Sequence, residues 1–406
     1  MTATGTSTAR RDWTPILAGG LIMGLALGAR HVQGLFLIPM TMDRGWDREI
    51  FSQAIALQNL AWGLCQPLSG WLSDRFGALW IIAGGLILYG LGLAGMVYSA
   101  SEGAFLLAAG VCVGIAQSGT TFGVVYAALS RTVQSDRRSW ALGLAGALGG
   151  MGQFVMVPVS QMLIDMTDWQ TALLIFSGTA AVMLPLVFTF RAGSTSTAEA
   201  PHEGGPGIAD ALRHKGFWLL NLGFLVCGFQ LTFAQTYLPS YVSDNGLDAS
   251  VGVMALALMA LFNVAGTYLF GLWGGTYRKK NLLVGIYLAR TAAISLFLLL
   301  PMSGASIYAF SAALGFLLLG TVPLTNGLVS QVFGVRYIGT LFGILFLNHQ
   351  IGSFIGVRLG GIFFEAYGSY QLGWAVAAAL GLVAAALHWP INDSPFVVSR
   401  TQKNTG

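Results

Sequence analysis

The sequence predicts an all-α membrane protein with twelve transmembrane helices arranged as two pseudo-symmetric six-helix bundles. Three observations lead to this fold class: an apolar composition, a series of apolar stretches of membrane-spanning length, and a repeat that relates the two halves of the chain. Of the 406 residues, 55% are hydrophobic and only 9% are charged, whereas a soluble domain carries about 25% charged residues. The mean hydropathy is +0.70. The chain is therefore predicted to lie in a lipid bilayer.

Apolar stretches long enough to cross a membrane occur along the whole chain. A hydrocarbon core of about 30 Å requires about 20 residues of α-helix. Twelve stretches meet this length, and we predict spans at 14–40, 50–73, 78–99, 104–128, 140–163, 169–190, 217–241, 251–274, 281–300, 305–329, 338–364 and 371–390.

A polar segment rich in Gly, Ser, Thr and Pro separates the sixth span from the seventh. Such a composition is typical of a flexible joint. We therefore divide the chain into an N-terminal bundle at residues 1–190, a cytoplasmic linker at residues 191–216 and a C-terminal bundle at residues 217–406.

The Lys and Arg residues predict the orientation through the positive-inside rule. With both termini cytoplasmic, only Arg44 and Arg48 lie on the opposite side, and three arginines fall within spans. The remaining residues on the cytoplasmic side are Arg10, Arg11, Arg75, Arg131, Arg137, Arg138, Arg191, Arg213, Lys215, Arg278, Lys279, Lys280, Arg336, Arg400 and Lys403. The net charge of +4 thus reflects topology and indicates no nucleic-acid partner. We expect a multi-pass protein of a bacterial cytoplasmic (inner) membrane.

The two predicted bundles share an internal repeat. Gly28 and Pro39 in the first span correspond to Gly228 and Pro239 in the seventh, 200 residues later. The loop GWLSDRFG at 70–77 similarly matches GLWGGTYR at 271–278. A duplicated six-helix unit is the simplest explanation.

The loop at 70–77 resembles the signature of the major facilitator superfamily. That signature, G-x-x-x-D-[RK]-x-G between the second and third helices, is matched by Gly70, Asp74, Arg75 and Gly77. The resemblance implies the major facilitator fold. In physical terms, the Asp74 carboxylate can accept hydrogen bonds from a neighbouring helix N-terminus while Arg75 bridges to the other bundle, which would latch one conformation. The alternative is that both residues merely cap a loop.

The match departs from the signature in two places. Ala78, Leu79 and Trp80 replace the usual basic run, and Gly275 stands where the second copy would carry an acid, although Arg278 and the lysines after it supply charge. We therefore expect an asymmetric latch.

The start of the chain resembles the monocarboxylate porter and oxalate:formate antiporter branch of the superfamily. The resemblance rests on GARHVQGLFLIPMTMDRGWDREIFSQA in the first two spans and on GTLFGILFLNHQ in the eleventh. It places Arg30 or His31 at the position of the first-helix lysine of monocarboxylate porters, and His349 at that of the eleventh-helix lysine of the antiporter. Thr267 stands where those families carry an arginine in the eighth helix.

Cations lie within the predicted spans without carboxylates at mid-membrane depth. They are Arg30, His31, Arg290, His349 and Arg358. A charge in hydrocarbon costs several kcal/mol unless it faces protein or water. Cations that are kept there without acids indicate an anionic cargo.

The depth of each cation along its helix suggests its role. A rise of 1.5 Å per residue places His349 within about 3 Å of mid-span and Arg30 and His31 about 5 Å from it, whereas Arg358 lies about 10 Å outward and faces the opposite way from His349. We expect His349 to bind substrate and Arg358 to serve structure or outer gating. Arg290 is expected to bond groups of the eighth or tenth helix and is grouped with the gating residues.

Neutral polar side chains complete the candidate site. Gln230 is the repeat mate of Arg30, and Asn263 occupies an eighth-helix position where relatives carry an acid, while Gln117, Tyr126 and Asn326 lie in helices four and ten, which line the cavity in this superfamily. Each can donate to a carboxylate oxygen, and each can equally join helices.

These observations predict an alternating-access carrier for a small organic anion, of which a monocarboxylate such as lactate or pyruvate is the first choice. The bound carboxylate would neutralise Arg30 or a protonated histidine, and His31 or His349 would carry a proton in symport. Exchange of two organic anions and export of a drug or metabolite remain open alternatives. We expect no enzyme activity, cofactor or metal site, and a functional monomer in the bilayer.

Overall fold

In the computed structural model, residues 5–46, 48–194 and 206–396 are described, and they form helices without a β-strand. We label the twelve long helical units α1 to α12. Their bounds are Gly5–His31 continued by Gln33–Arg44 (α1), Arg48–Phe76 (α2), Ala78–Tyr98 (α3), Glu102–Thr132 (α4), Arg138–Met166 (α5), Trp169–Arg191 (α6), Lys215–Asp244 (α7), Ala249–Thr276 (α8), Lys279–Leu299 (α9), Gly304–Phe333 (α10), Ile338–Tyr367 (α11) and Gln371–His388 (α12).

Eleven of these helices in the described part of the chain are both long and apolar enough to cross a membrane. The twelfth, α2, spans 29 residues, which is ample length at about 1.5 Å per residue. Its hydropathy is lower because it carries Gln53, Gln58, Asn59 and Gln66. Gln58 and Gln66 are buried and donate to the α4 backbone, so these amides face protein.

The helices pack as two bundles with matching arrangements. In the first bundle α1 packs on α5 and α3 on α6, and in the second α7 packs on α11 and α9 on α12. The same hydrogen bond recurs in both: the Tyr89 hydroxyl of α3 donates to Ala26 O of α1 at 2.8 Å, and the Tyr287 hydroxyl of α9 donates to Gly223 O of α7 at 2.8 Å. The structure therefore repeats the relation seen in the sequence.

The bundles meet at two crossings, α2 with α11 and α5 with α8. A glycine pair lies at each. A Cβ placed on Gly70 would lie 2.0 Å from Gly339 O, and one on Gly271 would lie 2.3 Å from Gly143 Cα. Gly70 and Gly271 are the first residues of the two repeated loop motifs. In each copy of the motif, the helix backbone at the first glycine therefore contacts the backbone of a helix in the opposite bundle.

Both crossings lie near the helix ends that join the loops after α2, α4, α8 and α10. We call this side of the protein the basic face. Contacts between α2 and α11 extend from this face to Gly63, where an added Cβ would lie 3.0 Å from Gln350 Cβ. Further along, Leu60 and Phe354 are 57% and 72% exposed. The two bundles are thus closed against each other on the basic face.

The segment expected to be a flexible linker contains a short helix, Ile208–Arg213. The Asp210 carboxylate accepts from Gly207 N at 2.8 Å and caps this helix. Ala211 is fully buried in the core, and Trp218 Nε1 donates to Leu212 O at 2.7 Å. This part of the predicted linker is packed against the C-terminal bundle. Residues 195–205 lie outside the described residues.

Candidate functional site

A row of aromatic rings connects the embedded cations of the two bundles near mid-depth. The Arg30 guanidinium lies over the Trp62 ring, 5.2 Å from its centroid, and donates to Asn59 Oδ1. The Trp62 and Phe346 rings are 4.9 Å apart across the α2/α11 crossing, and Phe346 stacks on His349 at 5.4 Å. Arg30 and His349 thus lie on opposite sides of one aromatic contact.

Helix α1 is interrupted beside Arg30. Its first segment ends at His31, Val32 leaves helical geometry with ψ near 0°, and the second segment starts at Gln33. Consecutive helical residues point about 100° apart, so Arg30 turns toward Asn59 while His31 is exposed. The structure therefore separates the two candidates that the sequence left as alternatives at this position.

Several buried polar atoms of the N-terminal bundle, including one of Arg30, have no hydrogen-bond partner. Arg30 Nε has no such partner, and neither do the amide atoms of Gln33 and Gln117. The Tyr89 side chain lies close to both Arg30 and Gln117, although the Gln117 amide has no well-formed hydrogen bond, so Tyr89 of α3 lies near groups of both α1 and α4. Gln33 and Gln117 are 2% and 0% exposed. An unsatisfied buried amide costs about 1–3 kcal/mol, so this group of donors is suited to a polar ligand.

In the C-terminal bundle, Arg290 is fully buried and bonds to a break in α10. Helix α10 is interrupted at Leu319 and Gly320, between its segments Gly304–Leu318 and Thr321–Phe333. Arg290 donates to Leu317 O at 2.7 Å and to Leu318 O, and also to Gln230 Oε1 at 3.1 Å. The expected bonding to helix ten is therefore present.

Gln230 and Asn263 are bonded within the C-terminal bundle. Gln230 Nε2 donates to Ala377 O of α12 at 2.8 Å, while its carbonyl accepts from Arg290. Asn263 Oδ1 accepts from Leu319 N at the α10 break, at 3.0 Å. Both side chains join helices, which was one of the two roles expected for them.

His349 is 5% exposed and lies between the Phe224 and Phe346 rings, with centroids 4.8 Å and 5.4 Å from its own. Its Nδ1 is 3.4 Å from Gln350 Oε1. It also interacts with the Cys227 thiol, which in turn contacts Arg290 at 3.6 Å. Polar contacts thus connect the central histidine to the arginine that holds the α10 break.

Tyr126 and Asn326 lie at the closed side of the interface. Ser130 Oγ of α4 donates to Asn326 Oδ1 of α10 at 3.0 Å, between the bundles. The Tyr126 hydroxyl is buried without a partner and lies against Gly146 at the α5/α8 crossing. Thr267, the position of the missing arginine, contacts the same glycine.

Asp74 caps α11 across the interface. Its carboxylate accepts from Gly339 N at 3.0 Å and from Thr340 N and Oγ1, both at 2.6 Å. Arg131, at the end of α4, pairs with Asp74 and donates to Val335 O at 3.2 Å. The bridging arginine is thus Arg131 and not Arg75, which is exposed and lies over Trp71 and Phe76.

The other gating candidates lie away from these contacts. Arg278 forms an ion pair with Asp393 at 2.6 Å within the C-terminal bundle. This hydrogen-bonded pairing lowers the pKa of Asp393 and raises the pKa of Arg278. Arg358 is exposed on α11 beside Phe354 and Val357, on a different face from the buried His349.

Sequence reasoning missed Asn59 and Tyr89 as neighbours of Arg30, and Arg131 as the partner of Asp74. It also missed Cys227, which interacts with both His349 and Arg290. Their only sequence signal was a polar side chain within or at the end of a span. Many residues share that signal, so only the contacts in the folded structure single out these four residues.

We expect replacement of Arg290 by methionine to destabilise the protein strongly. The Leu317 carbonyl and Gln230 Oε1 would lose their Arg290 donor, and the Leu318 carbonyl would keep Thr321 Oγ1 at 3.2 Å. Each buried acceptor left without a partner costs about 1–3 kcal/mol. Thermal unfolding in detergent measures the effect, with Arg358→Met as the matched exposed control. An unchanged melting temperature together with a raised KM would instead assign Arg290 to the substrate site.

Twelve helices in two pseudo-symmetric bundles, with broken helices and unpartnered polar groups near the membrane centre, define a membrane transporter of small molecules. The sequence profile of the Major Facilitator Superfamily matches residues 16–357. The chain belongs to this superfamily, and the predicted fold class is confirmed.

Similar proteins cover almost the whole chain. An uncharacterized MFS-type transporter of Bacillus subtilis, YcxA, is 24% identical over 91% of both chains. Monocarboxylate transporter 13 of Bos taurus is 25% identical over 92% of this chain and 87% of its own length. Among solved structures, the proton:xylose symporter XylE bound to 6-bromo-6-deoxy-D-glucose has a TM-score of 0.73 at 13% identity, covering 96% of this chain and 98% of XylE. FucP in the outward conformation has a TM-score of 0.69 at 15% identity, covering 92% and 97%.

Proposed function

We propose that this transporter carries a small organic anion, with a monocarboxylate of the lactate or pyruvate type as substrate and Arg30 as its anchor. One observation carries the proposal: Arg30 Nε is a buried donor without a hydrogen-bond partner. Among the described residues, no Asp or Glu forms an ion pair with Arg30. A guanidinium binds a carboxylate through two parallel hydrogen bonds, so the ligand would supply the missing acid.

The aromatic row gives the substrate a defined environment. A carboxylate on Arg30 would place a short aliphatic chain next to Trp62 and Phe346, with His349 on the far side of these rings. Small acids fit such a site because they combine one charge with a short apolar body. Several relatives, including monocarboxylate transporter 13 of Bos taurus, are named as monocarboxylate transporters, which supports the same substrate class.

We place the protein in a bacterial cytoplasmic membrane with both termini inside. By the positive-inside rule, the basic face then lies on the cytoplasmic side. With the bundles closed on this face, the substrate would reach Arg30 from the opposite side. Asp74, Arg131 and the α11 N-terminus would hold this closure, and Arg358 would belong to the outer gate. We propose that a single chain performs the cycle.

The substrate proposal is tested by uptake of radiolabelled lactate or pyruvate into proteoliposomes. We expect saturable uptake that unlabelled monocarboxylates inhibit and that xylose does not. Uptake of sugar without any response to monocarboxylates would overturn the substrate class.

In proton symport, His31 or His349 would carry the proton, since histidine is the side-chain type whose ordinary pKa lies closest to neutral pH. We expect an inward proton gradient to drive accumulation, and replacement of the coupling histidine by alanine to abolish the gradient effect while leaving downhill exchange. Measuring His31→Ala and His349→Ala separately assigns the role. Accumulation that is unchanged in both variants would rule out coupling through these histidines.

Anion exchange is the second candidate function. It is favoured by the permanent charge of Arg30, because an empty carrier would have to occlude an uncompensated cation, which is costly in a low-dielectric site. In that case unlabelled anion loaded inside the vesicles would stimulate uptake several-fold without a pH gradient. Equal rates with empty and loaded vesicles would exclude obligatory exchange.

A further inference from the structure

Trp62 of α2 contacts three other elements at once. The Arg30 guanidinium of α1 lies over its ring, 5.2 Å from the centroid. The Phe346 ring of α11, in the opposite bundle, lies 4.9 Å away between centroids. At the ring edge, the indole Nε1 donates to Thr121 Oγ1 of α4 at 3.2 Å. Since Trp62 is only 5% exposed, all three contacts lie inside the protein and link the proposed anchor to both bundles.

Helix α4 is interrupted at the residue that Trp62 bonds. Thr121 has extended backbone geometry, with φ −114° and ψ −160°, between two helical segments. Broken helices within a bundle persist where neighbouring side chains bond the polar atoms at the break. Trp62 Nε1 also donates to Gln66 Oε1 at 3.0 Å, and Gln66 Nε2 donates to Ser118 O at 3.0 Å. Trp62 and Gln66 of α2 therefore hold the last turn before the break.

The C-terminal bundle has a bond of the same kind at the equivalent position. Trp62 lies eight residues before Gly70. Asn263 lies eight residues before Gly271, so the two side chains correspond in the internal repeat. Asn263 Oδ1 accepts from Leu319 N at the α10 break, at 3.0 Å. In each bundle this position thus bonds the broken helix, but Trp62 in addition presents an aromatic ring to a cation.

The α4 segment beyond the break carries contacts that close the basic face. This segment, Phe122–Thr132, packs on α10 and α11 of the opposite bundle. Ser130 Oγ donates to Asn326 Oδ1 across the interface at 3.0 Å. Arg131 pairs with Asp74 beside the α11 N-terminus. The orientation of the segment at the break thus decides whether these closure contacts can form.

We propose that Trp62 is a positioning residue that couples the charge on Arg30 to the α4 segment that closes the basic face. The inference rests on the proposed function, because it requires an anion to bind Arg30. In the empty carrier, the guanidinium is attracted to the indole ring by a cation–π interaction, which holds the ring against the break. A bound carboxylate neutralises the guanidinium and weakens this attraction. The ligand therefore interacts differently with the two conformations, as a shift toward opening requires.

The first test is uptake of radiolabelled lactate into proteoliposomes by the full chain and by Trp62→Phe. Phenylalanine keeps an aromatic face for Arg30 but cannot donate to Thr121. We expect kcat to fall by about tenfold, because loss of one buried hydrogen bond is of this order, while KM stays within about twofold. Trp71→Phe is the matched control, because Trp71 also carries an arginine, Arg75 at 5.3 Å, but is 37% exposed on α2. Its kinetics should equal those of the intact protein.

A double-mutant cycle tests the bond itself. Thr121→Val keeps the shape of the side chain and removes the acceptor, so it addresses the same bond from α4 and serves if Trp62 variants fold poorly. We expect its fall in kcat to match that of Trp62→Phe, and the double variant to be no slower than either. Losses that multiply in the double variant, a loss confined to KM, or unchanged kinetics would overturn this inference alone. Absence of lactate and pyruvate uptake by the intact protein would instead overturn the proposed function, and the inference with it.

Discussion

Replacement of Arg30 by alanine is expected to lower kcat/KM for monocarboxylate uptake by about 100-fold or more. Each of the two hydrogen bonds proposed from Arg30 to the carboxylate contributes about 1.5–3 kcal/mol. Their joint loss of about 3 kcal/mol or more corresponds to about 100-fold or more, since 1.4 kcal/mol is a tenfold change. The loss should exceed that of Asn59→Ala, because Asn59 only orients the guanidinium. Proteoliposome uptake with equal amounts of folded protein measures both variants.

Arg30→Lys is the informative control for this prediction. It keeps the charge but loses the planar pair of donors, so we expect intermediate activity with a raised KM. If Arg30→Ala transported lactate or pyruvate at the rate of the intact protein, the anchor would have to lie elsewhere, and His349 would be the next residue to test.

The Gly70→Val variant is expected to prevent closure of the basic face. Its Cβ would lie 2.0 Å from Gly339 O, which is backbone of the opposite bundle and has no rotamer to change. Overpacking costs about 1–3 kcal/mol, which shifts a two-state equilibrium by about tenfold to hundredfold toward the open form. Transport should fall accordingly, because the cycle requires both states.

Gly84→Val is the matched control for this variant, since nothing lies within 4 Å of an added Cβ there. Closure can be read from alkylation of Ser130→Cys in a background without Cys65, Cys112 and Cys227, because Ser130 is fully buried at the closed interface. We expect rapid labelling with Gly70→Val and slow labelling with Gly84→Val. Equal labelling would contradict the assigned closure.

The sequence predicted the architecture well because its signals are repeated many times. Apolar stretches of membrane-spanning length occur throughout, and each predicted span corresponds to a helix, although α1 extends beyond its predicted end and is interrupted at Val32. The helix at 208–213 was missed, because its stability comes from burial of Ala211 and not from local composition. Such docking depends on the neighbouring helices.

The candidate site was only partly accessible from the sequence. Arg30 and His349 could be selected because charge within a span is rare, and for the same reason Arg290 was expected to bond the eighth or tenth helix, of which the structure shows the tenth. The pairing of Arg131 with Asp74 joins residues 57 positions apart in sequence, and no periodicity encodes it. Likewise, the contact of Trp62 with Phe346 depends on how closely the glycine crossings allow the bundles to approach.

The two glycine crossings differ in one respect. At α2/α11 the backbone contact is reinforced by Asp74, which binds two α11 amides and Arg131, whereas the corresponding position of the second motif copy is Gly275. Opening the basic face must therefore break the charged hydrogen bonds of Asp74 at one crossing, whereas the contact of Gly143 with Gly271 at the other is a van der Waals contact. We expect the motion to be a swing about α5/α8 as the pivot, with its rate set by the release of α11 from Asp74. A molecule that wedges between α2 and α11 would accordingly accelerate opening, while one that binds at α5/α8 would leave the rate unchanged.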